Sequence, residues 1–415
     1  MQFSFPGLSS ALEGAVSHYS APTPVQMAAI PAVLAGEDVL ATAPTGSGKT
    51  TAFVLPLLQR WLDSERKTPR RIHTLILVPT RELAAQVRGV IQELSNKLPE
   101  RIRSVSAVGG VSINPQMMAL RGGADFIVAT PGRLLDLVDH HALTLSEVRV
   151  LVMDEADRML DLGFTSELGR ILEFLPKGRQ NLLFSATFSQ AVEAMARQFL
   201  DHPTRIDLTA NLMDLPGIQQ RAIRVDKENR APLLRFLLAT EGWKQALVFV
   251  ASQYSADHVA DKLRRNGITA RSFHGGISQG GRSGALADFK NGEIQVLVAT
   301  DLAGRGIDIV GLPVIFNYDL PRSADDYTHR IGRTGRAGMA GTAISFVTAE
   351  SNGRFCQIEK MRKIAVAREE IAGFEPQEIP VPLACENGGI KGHRKSKKDK
   401  LREAAALKTP KKRSR

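Results

Sequence analysis

One stretch constrains this sequence more than any other, and it reads Ala43, Pro44, Thr45, Gly46, Ser47, Gly48, Lys49 and Thr50. A short apolar run precedes it and a helix-forming run follows it, which predicts a strand, a loop and a helix in that order. In such a loop, glycines let backbone N–H groups converge on an anion, and the helix N-terminus adds positive potential. Lys49 would reach the outer phosphates, and the hydroxyl of Thr50 would bind Mg²⁺. The stretch therefore predicts a phosphate-binding site with Ala43 in place of the first glycine of the pattern, and a chance glycine-rich turn is the weaker alternative.

Short apolar runs recur through the first half of the chain, and each ends in a cluster of polar residues or glycines. They span residues 39–41, 74–78, 105–108, 126–129, 150–153 and 182–184. Each has the length of a strand, and stretches that can form a helix, such as residues 82–94, separate them. This alternation predicts a parallel sheet with helices on its faces. Since the carboxyl ends of parallel strands share one edge, the polar clusters should line one ligand crevice.

The second half repeats this design, with apolar runs at residues 247–250, 295–299 and 314–316. The sequence therefore predicts two similar α/β domains, residues 1–209 and 218–350. A linker at 210–217 joins them, where Asn, Asp, Pro and Gly interrupt the pattern. The second domain has no phosphate loop of its own. Beyond it, a C-terminal extension spans residues 351–390, and the Lys-rich segment 391–415 has no aromatic residue and is expected to be disordered.

The net charge of +11 is concentrated in that last segment. Residues 391–415 contain twelve Lys or Arg and two acids, which gives +10 and leaves +1 for residues 1–390. A nucleic-acid partner is therefore indicated by the tail and not by the body. No apolar run is long enough to span a bilayer, and two cysteines cannot form a disulfide framework or a four-cysteine zinc site. We expect a protein of the reducing cytoplasm that does not enter a membrane.

Two charged clusters suggest catalysis. Asp154 follows an apolar strand, where the Mg²⁺-binding acid of a phosphate-loop ATPase lies, and Glu155 is placed to activate a water for attack on the γ-phosphate. A solvated acidic helix cap is the alternative for this pair. Residues 329–336 read H-R-I-G-R-T-G-R, and arginines at this density suit the stabilisation of charge on a transferring phosphoryl group. A basic surface loop that binds any anion is the alternative there.

The motifs stand in the order found in the DEAD-box RNA helicases, which this chain resembles from about residue 3 to residue 347. Among them are P-T-P-V-Q at 22–26, D-E-A-D at 154–157 and S-A-T at 185–187. The others lie at residues 43–50, 79–82, 109–110, 130–133, 274–282, 299–308 and 329–336. Ten ordered motifs make coincidence negligible, and the short extensions resemble those of bacterial members. The resemblance implies two RecA-like domains that face each other across an ATP cleft.

The resemblance also assigns nucleotide-binding roles by position. Gln26 resembles the residue that reads adenine, since an amide can pair with both the N6 donor and the N7 acceptor of that base. Phe3 resembles the aromatic residue that packs on the base, and Phe5 is its rival. The catalytic positions implied are Lys49 for the phosphates, Asp154 for the metal, Glu155 for the attacking water, Ser185 and Thr187 for coupling hydrolysis to strand separation, and Arg333 and Arg336 as finger arginines. Thr50 is implied as a ligand of ATP and Mg²⁺, and Asp308 as the residue that touches the ribose of ATP.

The RNA-contacting positions implied are Thr80, Arg81, Gly109, Gly110, Thr130, Gly132 and Arg133 in the first domain, with Gly275, Arg282 and Thr300 in the second. Glycines, hydroxyls and arginines bind a sugar–phosphate backbone well and read base edges poorly, which predicts little sequence preference. Gly304 departs from the family, which usually has Ala or Ser before the arginine. A freer backbone there could slacken the closure of the two domains.

The activity implied is RNA-stimulated ATP hydrolysis, with Mg²⁺, that drives local separation of short RNA duplexes or remodelling of RNA–protein complexes. The alternative is an ATP-dependent clamp that holds single-stranded RNA and unwinds little. Gln26 and the intact D-E-A-D run disfavour a DNA helicase or an unrelated phosphate-loop ATPase. We expect a monomer whose partner is RNA, single-stranded or in short duplexes, and proteins of ribosome assembly or RNA decay are candidates for further partners.

Overall fold

The computed structural model describes residues 3–44, 46–65, 68–208, 217–304, 309, 311–335 and 340–378. Seven strands form the first sheet, namely β1 (Val39–Thr42), β2 (Thr74–Leu77), β3 (Ser104–Ala107), β4 (Phe126–Ala129), β5 (Val150–Met153), β6 (Gln180–Ser185) and β7 (Thr204–Asp207). All their pairings are parallel, and their order across the sheet is β3-β4-β2-β5-β6-β1-β7. The predicted linker at 210–217 and the predicted tail at 391–415 fall outside the described residues, apart from residue 217.

Helices connect these strands and cover both faces of the sheet. They are α1 (Ser10–Ala15), α2 (Pro24–Ala35), α3 (Lys49–Leu62), α4 (Arg81–Ser95), α5 (Asn114–Leu120), α6 (Pro131–Asp139), α7 (Ala156–Asp161), α8 (Thr165–Glu173) and α9 (Gln190–Phe199). Along β1, Val39 and Ala41 pack in the core under α2, α3 and α4, whereas Leu40 packs in the core on the opposite face with α6, α8 and α9. Burial on both faces explains why these strands read as continuous apolar runs.

The second domain repeats the architecture with its own seven-stranded sheet. Its elements are β8 (Ile218–Arg224), α10 (Arg230–Thr240), β9 (Ala246–Val250), α11 (Gln253–Arg264), β10 (Ala270–Phe273), α12 (Gln279–Lys290), β11 (Val296–Thr300), α13 (Asp301–Gly304), β12 (Val314–Asn317), α14 (Ala324–Ile331), β13 (Gly341–Val347), α15 (Asn352–Arg362) and β14 (Arg368–Glu369). The strand order is β10-β11-β9-β12-β13-β8-β14, again with parallel pairings. Two parallel sheets flanked by helices confirm the predicted fold class.

The second domain extends past the boundary that we placed at residue 350. Phe355 of α15 packs in the core of this domain, and β14 adds a short strand to its sheet. Arg368 also binds Glu359 of α15 at 2.7 Å. Residues 352–369 therefore complete the second domain. Among the described helices, none is long and apolar enough to cross a bilayer.

Candidate active site

The phosphate loop connects β1 to α3 and fixes the N-terminus of that helix. Gly46 and Gly48 have φ angles of 76° and 92°, in the left-handed region that glycine adopts without strain. A Cβ atom on Gly48 would lie 2.5 Å from Nε2 of Gln26, so the close approach of α2 also requires glycine. At these two glycines the backbone has the conformation expected of an anion cradle. Thr45 lies outside the described residues.

Lys49 begins α3 and is 7% exposed. Its ammonium group donates to the carbonyl oxygen of Ala43 at 2.8 Å and to that of Ser185 at 3.5 Å. Both acceptors are neutral, and a hydrogen bond to a charged oxygen is roughly twice as strong as one to a neutral oxygen. A phosphate group in the loop would therefore compete well for this lysine.

Gln26 joins α2 to the phosphate loop. Its Oε1 accepts a hydrogen bond from the backbone N–H of Thr23 at 2.9 Å, and its Nε2 donates to the carbonyl oxygen of Gly48 at 3.3 Å. A side-chain amide has two lone pairs and two N–H groups, so one acceptor site and one donor remain on Gln26. This remaining pair is the set that the adenine-reading role requires.

Phe3 and Phe5 belong to one aromatic cluster beside α2. The ring of Phe3 packs edge-on against Phe5 with 5.6 Å between the ring centroids, and it lies 5.9 Å from the ring of Tyr19. The sequence analysis did not single out Tyr19, which is 41% exposed. A hydrogen bond links its hydroxyl to Thr51 in the first turn of α3, while burial raises the pKa of Tyr19. Tyr19 therefore adds an aromatic ring to those of Phe3 and Phe5, and it lies beside the first turn of α3.

Asp154 follows β5 and is 3% exposed. Burial raises the pKa of this carboxyl to about 7; the ammonium of Lys49 opposes the shift, and the negative charge of Glu155 adds to it. The backbone N–H of Glu155 donates to Oδ1 of Asp154 at 3.0 Å. Glu155 itself has a φ angle of 53°, which is costly for a residue with a side chain and occurs most often at functional sites. The turn after β5 thus keeps two carboxylates together near the phosphate-loop lysine.

A hydrogen bond connects this acidic turn to the next strand of the sheet. Thr187 donates from Oγ1 to Oδ2 of Asp157 at 3.1 Å, and its backbone N–H donates to Oγ of Ser185 at 3.3 Å. The sequence analysis gave Asp157 no role, although its place as the last acid of the D-E-A-D run was a signal. Through Asp157, a shift in the acidic turn would be passed directly to residues 185–187.

Asp154 and Thr50 fit a magnesium site by the chemistry of their donor atoms. Both offer oxygen, and Mg²⁺ is usually bound by one or two carboxylates together with substrate phosphates and water. Within the described residues, no group of three or more His, Cys, Asp or Glu side chains could hold a metal by itself. Asp154 and Thr50 would thus supply two oxygen ligands to Mg²⁺, with phosphate and water as the others.

The raised pKa of Asp154 predicts a pH dependence of nucleotide binding. Below about pH 7 the buried carboxyl carries a proton, and Mg²⁺ must displace that proton because it binds the carboxylate form. We expect the affinity for a magnesium-bound, non-hydrolysable ATP analogue to weaken as the pH falls from 8 to 6, by up to about tenfold per unit. Calorimetric titrations at several pH values would measure this. The Asp154→Asn variant should lack the dependence, and a flat wild-type profile would contradict the assignment.

The predicted RNA-contacting residues of the first domain meet at one edge of the sheet. They follow β2, β3 and β4, which are neighbours in the sheet. The guanidinium of Arg81 covers Gly110, where any Cβ atom would collide with it. Oγ1 of Thr130 accepts from the N–H of Gly109 at 3.3 Å, and Arg133 donates to a backbone carbonyl of the same glycine loop at 2.9 Å. The structure therefore brings these separate motifs together.

Two further predicted contacts lie where helices begin at this edge. Thr80 is the N-cap of α4, and its hydroxyl accepts from the N–H of Leu83 at 3.3 Å. Gly132 lies in the first turn of α6, with open space where a Cβ atom would be. Backbone N–H groups at helix N-termini are good donors to phosphate. This edge therefore offers backbone donors as well as arginines.

In the second domain, Gly275 follows β10 and Thr300 ends β11, the adjacent strand. Arg282 lies on α12, where its Nη2 is 2.5 Å from Oε1 of Glu82 on α4 of the first domain. Both side chains are buried, at 6% and 7% exposure. The arginine predicted to bind RNA therefore joins the two domains in this structure, and an RNA contact by Arg282 stays a prediction. Motif order could not reveal the pair because its members lie in different domains.

The arginine cluster divides into residues with different surroundings. Arg330 is 1% exposed and binds Asp301 through Nε at 2.5 Å and through Nη2 at 2.7 Å. Its Nη1 donates to Oδ1 of Asn317 at 3.0 Å and to the carbonyl oxygen of Asp319 at 2.6 Å. Four of the five guanidinium N–H groups of Arg330 are therefore bound by protein acceptors. Arg333 is 5% exposed in the turn after α14, whereas Arg336 and Asp308 fall outside the described residues.

Gly304 has a packing role that the sequence analysis did not foresee. A Cβ atom at this position would lie 2.6 Å from the ring of Phe249 and 3.4 Å from Cβ of Ala299. Phe249 is itself held under the guanidinium of Arg330, 5.0 Å from its ring centroid. The glycine therefore allows α13 to approach β9 closely. The expected effect of Gly304 on domain closure stays a prediction.

The comparisons with known proteins agree with this arrangement. The family model described as DEAD/DEAH box helicase matches residues 23–195, and that of the helicase conserved C-terminal domain matches residues 228–338. The DEAD-box ATP-dependent RNA helicase CshA of Bacillus cereus is 38% identical over 359 residues, which cover 86% of this chain and 67% of that protein. The structure of S. cerevisiae Dbp5 bound to RNA and ADP BeF3 has a TM-score of 0.79 at 31% identity, covering 88% of this chain and 94% of that one.

A third comparison is with another solved structure. A DEAD box protein from the hyperthermophile Methanococcus jannaschii is 35% identical and covers 87% of this chain and 97% of its own, yet its TM-score is 0.51. With both helicase domains matched in order and this identity over most of its length, the chain belongs to the DEAD-box ATP-dependent RNA helicases.

Proposed function

We propose that this chain hydrolyses ATP in response to RNA and uses the cycle to separate short RNA duplexes, or to remodel RNA–protein complexes, in the cytoplasm. The observation that carries the proposal is the buried ion pair between Glu82 and Arg282. Glu82 adjoins Arg81 at the predicted RNA-facing edge of the first domain, and Arg282 belongs to the second domain. RNA bound at this edge would therefore act on the same contact that holds the domains together.

Catalysis follows from groups on both sides of the cleft. Lys49 would move from its carbonyl partners to the phosphates of ATP, and Glu155 would accept a proton from the water that attacks the γ-phosphorus. The bond from that phosphorus to the β-phosphate oxygen breaks, which releases ADP and phosphate. Mg²⁺, held by Asp154 and Thr50, would neutralise charge on the phosphate oxygens. Arg333 and Arg336 would stabilise the transferring group only when the domains are closed.

We expect the contact between Thr187 and Asp157 to couple ATP hydrolysis to RNA release. Loss of the γ-phosphate would change the charge beside the acidic turn, and the 3.1 Å hydrogen bond would transmit the change to residues 185–187. These residues lie at the same strand-end edge as the predicted RNA contacts of the first domain. Release of phosphate and release of RNA would thus be linked.

A turnover assay with and without RNA tests this function. We expect single-stranded RNA to raise the ATPase rate of the monomeric protein by about tenfold or more, since it stabilises the closed state in which all the catalytic groups meet. ATP should also release the strands of a short RNA duplex. An ATPase rate that RNA does not change would overturn the proposal. Stimulated hydrolysis with long-lived RNA binding and no strand release would instead favour the ATP-dependent clamp.

The basic tail provides a second measurable contribution. Truncation after Ile390 removes a charge of +10, so we expect weaker RNA binding and a smaller salt dependence, with the maximal ATPase rate unchanged. Each lost phosphate contact should reduce the slope of log K against log salt by about 0.7. A full-length variant with the tail Lys and Arg residues changed to Gln is the matched control and should behave like the truncation. An unchanged salt slope would show that the tail only keeps the protein soluble.

A further inference from the structure

The second domain carries an exposed pair of aromatic rings at the start of α11. Tyr254 is 76% exposed, more than any other large apolar side chain in the described part of the chain. Its ring lies parallel to the imidazole of His258, with 10° between the planes and 5.7 Å between the centroids. Residues four apart share one face of a helix. The inner face of the tyrosine ring is therefore supported, and the outer face is open to solvent.

This pair lies at the strand-end edge of the second sheet. Helix α11 begins three residues after β9 ends, and β9, β11 and β10 are consecutive in the sheet. The side chain of Gln253, the residue before Tyr254, lies against the turn that follows β10, because a Cβ atom on Gly276 would be 2.6 Å from its Oε1. Gly275, predicted to contact RNA, is in that turn. Tyr254 is thus a neighbour of the predicted RNA path.

The two carboxylates on α11 are bound by other side chains. Asp257 binds the hydroxyl of Ser272 at 2.6 Å and Nε2 of His274 at 3.1 Å. On the same helix, Asp261 binds Arg265 at 2.7 Å and lies 3.5 Å from Arg264. Both carboxylates of α11 therefore have partners among the side chains of the same domain.

The predicted RNA contacts of both domains are hydroxyls, glycine backbone and arginines, which bind phosphates and sugars. A strand held by its backbone leaves its bases free to stack. Aromatic side chains at the edge of a backbone-binding groove bind bases without sequence preference, because every base has a π-face. The Tyr254 ring has the required exposure and support.

We propose that Tyr254, backed by His258, is a stacking site for one unpaired base of the bound RNA. The site deepens the proposed function and rests on it. A base in a duplex is already stacked on its neighbours, so Tyr254 binds the strand only after that base is free. The site therefore favours the single-stranded product of duplex separation.

Binding measurements can test this proposal with a matched set of variants. The wild type, Tyr254→Ala, Tyr254→Phe and Met361→Ala would be titrated with a twelve-nucleotide single-stranded RNA in the presence of a non-hydrolysable ATP analogue. We expect Tyr254→Ala to bind about tenfold more weakly and Tyr254→Phe to bind within about twofold of the wild type, because Phe keeps the ring. Met361 is 71% exposed on α15, and its replacement should have no effect.

A second titration uses RNAs with one abasic nucleotide placed at each position in turn. One position should weaken binding to the wild type by about the same factor as Tyr254→Ala, and that RNA should bind both proteins equally. Equal binding of all RNAs by the wild type and Tyr254→Ala, with RNA-stimulated hydrolysis intact, overturns the stacking site and leaves the proposed function standing. A wild type that neither binds RNA nor is stimulated by it overturns both.

Discussion

Replacement of Glu155 by Gln is expected to stop steady-state ATP hydrolysis while ATP binding stays within about twofold of the wild type. The amide keeps the size of the carboxylate but cannot accept a proton from the attacking water. Loss of a general base lowers rates by about 10²- to 10⁴-fold. The unusual backbone at residue 155, with a φ angle of 53°, does not depend on the side-chain charge, so the turn should persist. Rapid-quench turnover and equilibrium titration with ATP would measure the two effects separately.

The same variant should also lengthen the lifetime of the RNA complex in the presence of ATP. Without hydrolysis, the two domains would stay closed on the RNA. Glu167→Gln on α8 is a matched control, since it removes a charge from the same domain at a residue that accepts a hydrogen bond from Ser166 at 2.8 Å. That control should hydrolyse ATP at the wild-type rate. Ordinary turnover by Glu155→Gln would reject Glu155 as the base and leave the acidic turn with only a metal-binding role.

The strands that could be predicted from the sequence are those with apolar side chains on both faces of the sheet. All four residues of β4 and of β5 are buried, and both runs stand out in the sequence. By contrast, β10 reads A-R-S-F at the edge of its sheet and exposes its arginine, so its pattern gave no signal. The interior strand β13 was missed for another reason: its Ser345 is fully buried but accepts a hydrogen bond from Asn317 at 3.1 Å. A polar residue satisfied by a distant partner looks like an exposed one in the sequence.

The same distinction applies to the site. Residues within one motif could be predicted because a strand end, a turn and a helix start are local in the chain. Contacts between motifs could not, since their partners are assigned by the three-dimensional fold. Examples are the bond from Thr187 to Asp157 and the ion pair of Glu82 with Arg282. These contacts are the ones through which the two halves of the reaction would be coupled.

Arg330 is the strongest case of a residue whose role changed once its surroundings were known. In the sequence it is one of several arginines suited to a phosphoryl group, whereas its guanidinium is buried against Asp301, Asn317 and the carbonyl oxygen of Asp319. These groups belong to α13, to β12 and to the loop after β12. Arg330 therefore fixes the segments that carry Thr300 and Arg333, and four of its five N–H donors are already bound by protein.

We expect Arg330→Met to lower the free energy of unfolding of the second domain by about 3–5 kcal/mol, because it leaves the Asp301 carboxylate and two further acceptors without their buried donor. Combined with Asp301→Asn, the loss should be smaller than the sum of the two single losses. Arg265→Gln, which removes an arginine that is 77% exposed from its pair with Asp261, should cost at most about 1 kcal/mol. Denaturant unfolding of the full chain would measure all four variants.

The unfolding data distinguish a structural arginine from a catalytic one. A finger arginine would lower the ATPase rate and leave unfolding unchanged, whereas Arg330→Met should reduce stability at every ATP concentration. Binding of ATP to the first domain should survive, because Lys49 and Gln26 have no contact with Arg330. A stable Arg330→Met variant with a low turnover rate would show that Arg330 acts on the nucleotide directly. In that case, contacts other than the buried network around Asp301 would have to hold Arg333 in position.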